Sequence, residues 1–426
     1  PNYEVLMEKG CEFLSLEPPT DIWEATNSLL ILYKHVPSIT SYPVYLGNID
    51  TLLNPFVKDE KEAYKAIKLF LTHIDRSLTD SFVHANIGPV DTVAGRLILK
   101  AMTELECAMP NLTVKYDKDI TSEEFAKLCA STALVTAKPS FANHKMDTVD
   151  FGTENYALAS CYNGFIVGGG GYTLVRLVLS RLAETATSVE DFLDNKLPFA
   201  ANKMLNYIDE RVKFLVEEAA FFKSSFLIKE GFIKKELFTG MFGMVGLAEA
   251  VNHLLNATEP KDRFGYGDAN ELGLKIVEKL NSIVTSYKSP YVGDAYKNSH
   301  VMHCQVGIDT DTGISPGCRI PVGEEPEIFE HLLQSAPYHK YFFNGIGDIF
   351  VFEDTYKEHP EAIINVIDGA FKAGIRYISA YSGGCDVVRV TGYLVKKSEV
   401  AQLESGQAVK NNATVFGMNA KNGAKA

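Results

Sequence analysis

Short apolar runs rich in β-branched residues interrupt long amphipathic helices throughout this chain, and that alternation constrains the fold more than any other feature. Residues 23–36, 61–75 and 93–108 repeat apolar side chains three and four apart, the spacing of a helix with one buried face. Further helices are expected at 171–185, 201–222, 246–255 and 271–287, and the opening PNYEVLMEKGCEFL also has helical spacing. Strands are expected at 113–116, 156–160, 348–352, 376–380 and 387–395, where the runs are short and apolar. Long helices separated by buried strands predict an α/β architecture, either a barrel or a doubly wound sheet. No internal repeat or low-complexity segment breaks the pattern, so residues 1–409 read as one domain and 410–426 as a tail.

At 426 residues and 46% apolar content the chain can bury a large core. Its 54 acidic and 41 basic residues give a net charge of −13, and no window gathers Lys and Arg with aromatic residues. That balance argues against nucleic acid and for a small-molecule partner. The apolar runs are too short to span a bilayer and no charged-then-apolar leader is visible, so a cytoplasmic protein with no membrane partner is expected. The chain opens at Pro1 rather than Met, which suggests that a further segment precedes it. Seven cysteines, at 11, 107, 129, 161, 304, 318 and 385, form no CxxC pair. Neither a disulfide scaffold nor a metal site is expected from them, and most read as small buried hydrophobes.

Two stretches carry chemistry. In CDVVRVTGYLVKKSEV, Gly392 interrupts an otherwise strand-like run. A glycine there loses backbone entropy and packs nothing, so its ordinary meaning is a bulge, a bend or a close backbone approach. In ENYALASCYNGFIVGGGGYTLVRL, alternating Tyr156, Leu158 and Ser160 read as a strand that delivers Cys161 to a turn. Glycines 168–171 then lead into a helix carrying Leu174, Leu177 and Leu179. A cysteine at a strand end suits chemistry, although a free cysteine is more often simply buried. The glycine run matches neither a P-loop nor a dinucleotide fingerprint, and close packing of loop backbones explains it better than anion binding.

RVTGY near the C-terminus, with a strand ending in a lone cysteine far upstream, resembles the glycyl radical enzymes. PNLTVKYDKDITSEEFAKLCASTALVTAKPSFANHK is similar to that family's strand, helix and PaFxN element ahead of the cysteine strand, and GISPGCRIPVGEEP to its arginine loop. The order of HVPSITSYPVYLG, HANIGP, SCYNG, GGGGYTLVRL, FGMVGLAEAVN and DVVRVTGY is closest to the YjjI-type branch, from about residue 43 onward. The resemblance implies a ten-stranded α/β barrel of the pyruvate formate-lyase type, surrounded by helices. Fingers bearing Cys161 and Gly392 would meet inside it, and the radical-bearing part would span about 340–409. It also implies a radical S-adenosylmethionine activating enzyme, with an iron–sulfur cluster, that installs a glycyl radical on Gly392. Only glycine suits that role, because the radical carbon must flatten between its amide nitrogen and carbonyl, which a side chain opposes. By the same resemblance the Cys161 thiyl abstracts a hydrogen atom from a small hydroxylated substrate, leading to elimination or to C–C or C–O cleavage. Asn143, Asn163, His303 and Arg319 take substrate-binding places in the pattern, and an oxygen-sensitive homodimer is expected; His84 and Asn86, ahead of a Gly-Pro turn, are further substrate-binding candidates, although a lone histidine there is more often packed or capping.

The departures matter as much. Ser160 stands where pyruvate formate-lyases carry a second cysteine, which disfavours acyl transfer. Asn163 stands where diol dehydratases carry a glutamate base, and an amide cannot take a hydroxyl proton. SGGC supplies one cysteine where anaerobic ribonucleotide reductases carry paired zinc ligands. Glu324 and Glu325 are candidates for the missing base, although glutamates ahead of a helix more often serve its dipole. His73 and Asp75 read as the solvated face of a helix. The alternatives are a ribonucleotide reductase-like enzyme without the zinc site and a non-catalytic radical-domain accessory.

Overall fold

The computed structural model describes residues 1–36, 44–77, 83–159, 162–304, 314–321, 323–343, 345–390 and 393–410. Strands β1 (Val44–Asn48), β2 (Val83–Ile87), β3 (Asn111–Tyr116) and β4 (Ser140–Asn143) run parallel. Between β4 and the edge lie β11 (Tyr377–Ser382), antiparallel to β4, and β10 (Ile349–Phe352), parallel to β11, which completes six strands. A second, parallel sheet holds β7 (Gly170–Val178), β8 (Phe238–Val245) and β9 (Val301–Cys304). Two antiparallel hairpins complete the set: β5 (Tyr156–Ala159) with β6 (Tyr162–Ile166), and β12 (Val387–Val390) with β13 (Tyr393–Lys396).

The six-stranded sheet is buried on both faces, and its residues alternate to suit. Val83, Ala85, Ile87, Leu112, Val114 and Phe141 join the main apolar core with Phe70, Leu99, Met102 and Phe125 of the covering helices. Those helices, Glu60–Ser77, Val93–Leu105 and Glu123–Thr136, form one layer with Pro360–Lys372. Side-chain caps start two of them: Thr92 Oγ1 accepts the Gly95 N–H and Ser122 Oγ accepts the Phe125 N–H. On the opposite face stand His84, Asn86, Asn111, Thr113, Lys115 and Ser140, none more than 4% exposed. A buried polar face needs something polar to meet it. The β5–β6 hairpin lies there, with β5 against β1, β2 and β3 and β6 against β7 and β9.

The α/β class stands, as do the helices at Ile22–His35, Glu60–Ser77, Leu247–Leu255 and Gly267–Ser286. A closed ten-stranded sheet is not seen among the described residues, which form sheets of six and three strands and two hairpins. The helix expected at 171–185 is strand β7 followed by the short helix Leu179–Ala183. Thr173, Val175 and Val178 favour the strand, and seven registered pairs with β8 outweigh the helical spacing of the leucines. The single strand expected at 387–395 is instead the β12–β13 hairpin, with Val390 opposite Tyr393. The expected helix 201–222 runs as Leu197–Lys213 and then widens over Phe214–Glu218. Asp75 is buried rather than solvated, and its Oδ1 accepts the N–H groups of Ala108 and Met109. No helix among the described residues is long and apolar enough to cross a membrane.

The glycine run does mark close packing. A Cβ at Gly169 would overlap the carbonyl oxygen of Leu237, whereas one at Gly369, inside the helix Pro360–Lys372, would meet nothing within 4 Å. Chemical denaturation should therefore separate the two: Gly169→Ala costs about 1–3 kcal/mol by overpacking. Gly369→Ala instead gains about 0.5–1 kcal/mol by removing a helix-interior glycine.

Candidate active site

Among the described residues β5 pairs only with β6, and at its other edge a side chain takes the place of a strand. Asn86 Nδ2 donates to the Leu158 carbonyl at 2.9 Å while its Oδ1 accepts the Leu158 N–H at 2.9 Å. Both groups are buried, so the amide satisfies a donor and an acceptor that would otherwise each cost about 1–3 kcal/mol. The root of the same strand is held at the carboxyl end of β3. Lys115 Nζ lies 4.2 Å from the Tyr156 ring centroid, and Tyr156 OH meets His144 Nδ1 at 2.7 Å just after β4. Tyr156 is thus level with Lys115, and Leu158 with Asn86, whose register partner on β3 is Thr113. β5 therefore descends against the direction of β2, toward His84 and its partner Asn111.

The other hairpin is rooted at the opposite end of the sheet. Cys385 Sγ, just ahead of β12, donates to the Val135 carbonyl at 2.8 Å, where the helix Glu123–Thr136 closes before β4. Lys396, at the end of β13, bears electrostatically on Lys138 and Cys107, which precede β4 and β3. Lys138 is fully buried and donates to the Cys107 carbonyl, tying those two approaches together. Val387 and Leu394 are buried in the main core.

Cys161 and Gly392 lie outside the described residues. Their neighbours are placed: Ala159 pairs with Tyr162, with only residues 160 and 161 between them, and Val390 pairs with Tyr393, with only 391 and 392 between. Asn163 belongs to β6. His84 and Asn86 share the inner face of β2, both buried. Asn143 stands apart from them as a strut, its Oδ1 accepting the Met146 N–H and its Nδ2 donating to Ile375 O. His303, on β9, is fully buried, and burial with Arg176 nearby pushes its imidazole down to about 3. Arg319 lies 3.4 Å from Asp348 in a buried cluster with His331, and Ser335 Oγ donates to Asp348 at 2.6 Å. Burial alone would raise the Asp348 carboxyl, but His331 and Arg319 hold it well below the usual range. Glu324 is exposed and pairs with Arg263 at 2.9 Å, and Glu325 accepts the Gly323 N–H, so neither is spent as a buried base.

Sequence reasoning missed several buried polar residues. Lys115 is buried, and loss of hydration lowers its ammonium to about 8. Asp147 is fully buried, which raises its carboxyl well above the usual range. Ser140 and Ser379 bond at 2.8 Å across the antiparallel seam, as Thr113 and Tyr377 do at 3.2 Å. The signal was present in VHANI and NLTVKY, where polar residues recur every second position in strands too apolar to be surface strands.

A family model described as "Glycyl radical enzyme YjjI-like" matches residues 1–426. An uncharacterized protein of Haemophilus influenzae is 50% identical over 421 residues, covering 98% of this chain and 82% of that one. The uncharacterized protein YjjI of Escherichia coli is 41% identical over 420 residues, 98% of this chain and 81% of that one. Among solved structures, the anaerobic ribonucleotide reductase from Thermotoga maritima with glycerol in the active site superposes with a TM-score of 0.71 at 13% identity, covering 95% of this chain and 80% of that one. The glycerol-bound B12-independent glycerol dehydratase from Clostridium butyricum gives 0.68 at 13% identity, covering 95% and 66%. At such identities the likeness concerns the fold.

Two outcomes are expected from the site's geometry. Asn86→Leu strands the Leu158 backbone groups and should lower stability by roughly 2–4 kcal/mol in chemical denaturation. His303 is neutral when folded but protonates below about 6.5 when unfolded, so the unfolded chain binds more protons in that window and stability falls with pH. Its contribution is complete above about pH 6.5, and near pH 5 roughly 2 kcal/mol is lost, so His303→Gln should show a shallower acid slope in denaturation midpoints.

Proposed function

Because this chain belongs to the YjjI-like glycyl radical enzyme family, we propose that Gly392 stores the radical and Cys161 forms the thiyl that attacks substrate. The observation that carries this reading is the pair of hairpins rooted at opposite ends of the six-stranded sheet, each with one of these residues in its two-residue connection. Hydrogen-atom transfer needs van der Waals contact, and fingers entering from both ends of a sheet-lined chamber offer a way to reach it. The six- and three-stranded sheets would be the walls of the ten-stranded barrel, and the clamp from Asn86 would set the depth of the cysteine finger.

In the proposed cycle an activating enzyme of the radical S-adenosylmethionine type removes one hydrogen atom from the Gly392 α-carbon. The glycyl radical then takes the hydrogen of the Cys161 thiol, so a C–H bond forms and an S–H bond breaks. The thiyl takes a hydrogen atom from a small hydroxylated substrate, restoring S–H and leaving a carbon radical. That radical loses water or breaks a neighbouring C–C or C–O bond, and the product radical recovers hydrogen from Cys161. The cycle is redox-neutral and returns the radical to Gly392. With an amide at Asn163, the proton of the substrate hydroxyl needs another acceptor, and His84 suits it. It sits on the inner face one pair beyond Asn86, in the direction β5 runs.

Nucleotide reduction is the second reading, favoured by the fold likeness to anaerobic ribonucleotide reductase. Against it, Cys385 spends its thiol on the carbonyls of Val135 and Val387. An accessory protein would need only the glycine hairpin, whereas this chain also holds the cysteine hairpin in a built clamp.

Anaerobic activation of the full-length protein should give a doublet in electron spin resonance that Gly392→Ala abolishes; a doublet that persists in that variant sinks the assignment. Cys161→Ser should keep the doublet and lose all turnover, assayed by mass spectrometry against a panel of hydroxylated substrates.

A further inference from the structure

Two of the buried thiols adjoin one another. Cys304 ends β9, and residues 305–317 separate it in sequence from Cys318. In the fold the Cys318 N–H donates to the Cys304 sulfur at 3.1 Å, and the two thiols are within hydrogen-bonding reach. Both are free, and each is only 3% exposed. The segment that brings Cys318 back is firmly held. Ser315 gives Glu249 Oε1 both its N–H, at 2.8 Å, and its hydroxyl, at 2.6 Å, while its carbonyl accepts the Gly246 N–H at 2.8 Å. Pro316 then bridges to Val245 at the end of β8. Gly317 follows with φ +56°, and a Cβ there would overlap the Cys304 sulfur, so glycine is what lets the backbone lie this close. A buried free cysteine is ordinarily an isolated small hydrophobe, and Cys385 spends its thiol on the carbonyls of Val135 and Val387. Among the described residues no third His, Cys, Asp or Glu completes a metal-binding group around the pair. The chemistry open to two adjoining thiols is the loss of two electrons together.

We propose that Cys304 and Cys318 form an oxidation site, at which hydrogen peroxide converts the pair into an intramolecular disulfide that a dithiol reverses. The Cys304 sulfur attacks one peroxide oxygen: an S–O bond forms, the O–O bond breaks, and the departing hydroxide takes the thiol proton as water. The Cys318 sulfur then displaces the hydroxyl of that sulfenic acid, so an S–S bond forms, the S–O bond breaks, and the second proton leaves in a second water. The two sulfurs give up two electrons and the peroxide accepts them. The order follows from the geometry, because the Cys318 N–H points at the Cys304 sulfur and steadies the negative charge that gathers there during attack. Since that sulfur already touches the backbone of the residue it must bond, side-chain rotation brings the two sulfurs together without moving either strand. Hydrogen peroxide suits thiols so little exposed, being neutral and little larger than water, whereas a bulky disulfide does not. The bridge ties the segment that leads into Arg319 to the end of β9. The proposal stands apart from the radical chemistry, since neither thiol is Cys161.

The test treats the folded, never activated protein with hydrogen peroxide until exposed methionines are oxidised, then unfolds it in an alkylating agent and maps it by mass spectrometry. Labels over the whole chain should fall from seven to five and return to seven after dithiothreitol. Trypsin releases Asn298–Arg319 as one peptide that holds both cysteines. That peptide should have lost two hydrogens and both labels, and cleavage ahead of Asp309 should leave its halves joined until reduction. Cys318→Ala should leave on Cys304 a sulfenic acid that dimedone traps, because the second sulfur is gone. Gly317→Ala, which pushes the Cys304 sulfur aside, should slow bridging several-fold. The proposal is overturned if both labels survive the peroxide, if the bridge joins any other pair of cysteines, or if Cys304 passes to a sulfinic acid without a bridge. Bridging in Gly317→Ala as fast as in the parent, or no dimedone adduct on Cys304 in Cys318→Ala, overturns it equally.

Discussion

The hairpin that stands between the two sheets has an edge with no strand beside it among the described residues, and the placing of the cysteine hairpin depends on how that edge is satisfied. Asn86 solves the problem with one amide, giving the Leu158 carbonyl a donor and the Leu158 N–H an acceptor. A hydroxyl side chain is too short to present both at the spacing of a peptide, and a carboxylate has no donor. The amide also fixes position along the strand, since a slip by one residue would turn the β5 side chains to the other face. Asn86, singled out from sequence as a substrate contact, has its amide donor and acceptor both engaged by the Leu158 backbone.

The clamp explains why the sheet has a polar inner face. Strands buried on both sides normally become continuously apolar. Here β2 and β3 alternate instead, with valine, leucine and isoleucine toward the helices and His84, Asn86, Thr113 and Lys115 toward the hairpin. Burying that many polar groups is unfavourable unless each finds a partner, and most do, through the Ser140–Ser379 and Thr113–Tyr377 bonds and the charge cluster around Asp348. Among the described residues Asp147 keeps both carboxyl oxygens buried without a hydrogen bond.

Much of this was legible in the sequence, and the failures share a cause. Helices such as Glu60–Ser77 and Gly267–Ser286 were readable because one face meets the core and the other meets water, which is what a periodicity of three and four reports. The strand β7 was misread because Leu174, Leu177 and Leu179 happen to fall at helical spacing, while the parallel partner that decides the matter is about 70 residues away in sequence. Asp75 was misread for a similar reason: nothing local says that the N–H groups of Ala108 and Met109 will arrive beside it. Lys115 was missed because a lone lysine in a short strand normally means an edge, and only the second sheet and the hairpin bury it. Local pattern fixes elements, whereas the polarity of an inner face is set by what is packed against it.

Two independent readings bear on the glycine that interrupts the C-terminal run, one of backbone and one, proposed above, of radical chemistry. With β12 and β13 paired from Val390 and Tyr393 outward, residues 391 and 392 are all the chain has to reverse direction, and two-residue hairpin connections favour glycine on backbone grounds alone. The radical reading requires glycine for an electronic reason, a flat α-carbon between an amide nitrogen and a carbonyl. A turn glycine by itself would therefore be weak evidence. What adds weight is the surrounding investment. An ordinary surface hairpin would not set Val387 and Leu394 in the main core, nor root itself beside Cys107 and a buried lysine, at the end of the sheet opposite to the clamped cysteine hairpin. Two hairpins are thus anchored in the fold at opposite ends of the six-stranded sheet, and the chain belongs to a glycyl radical enzyme family.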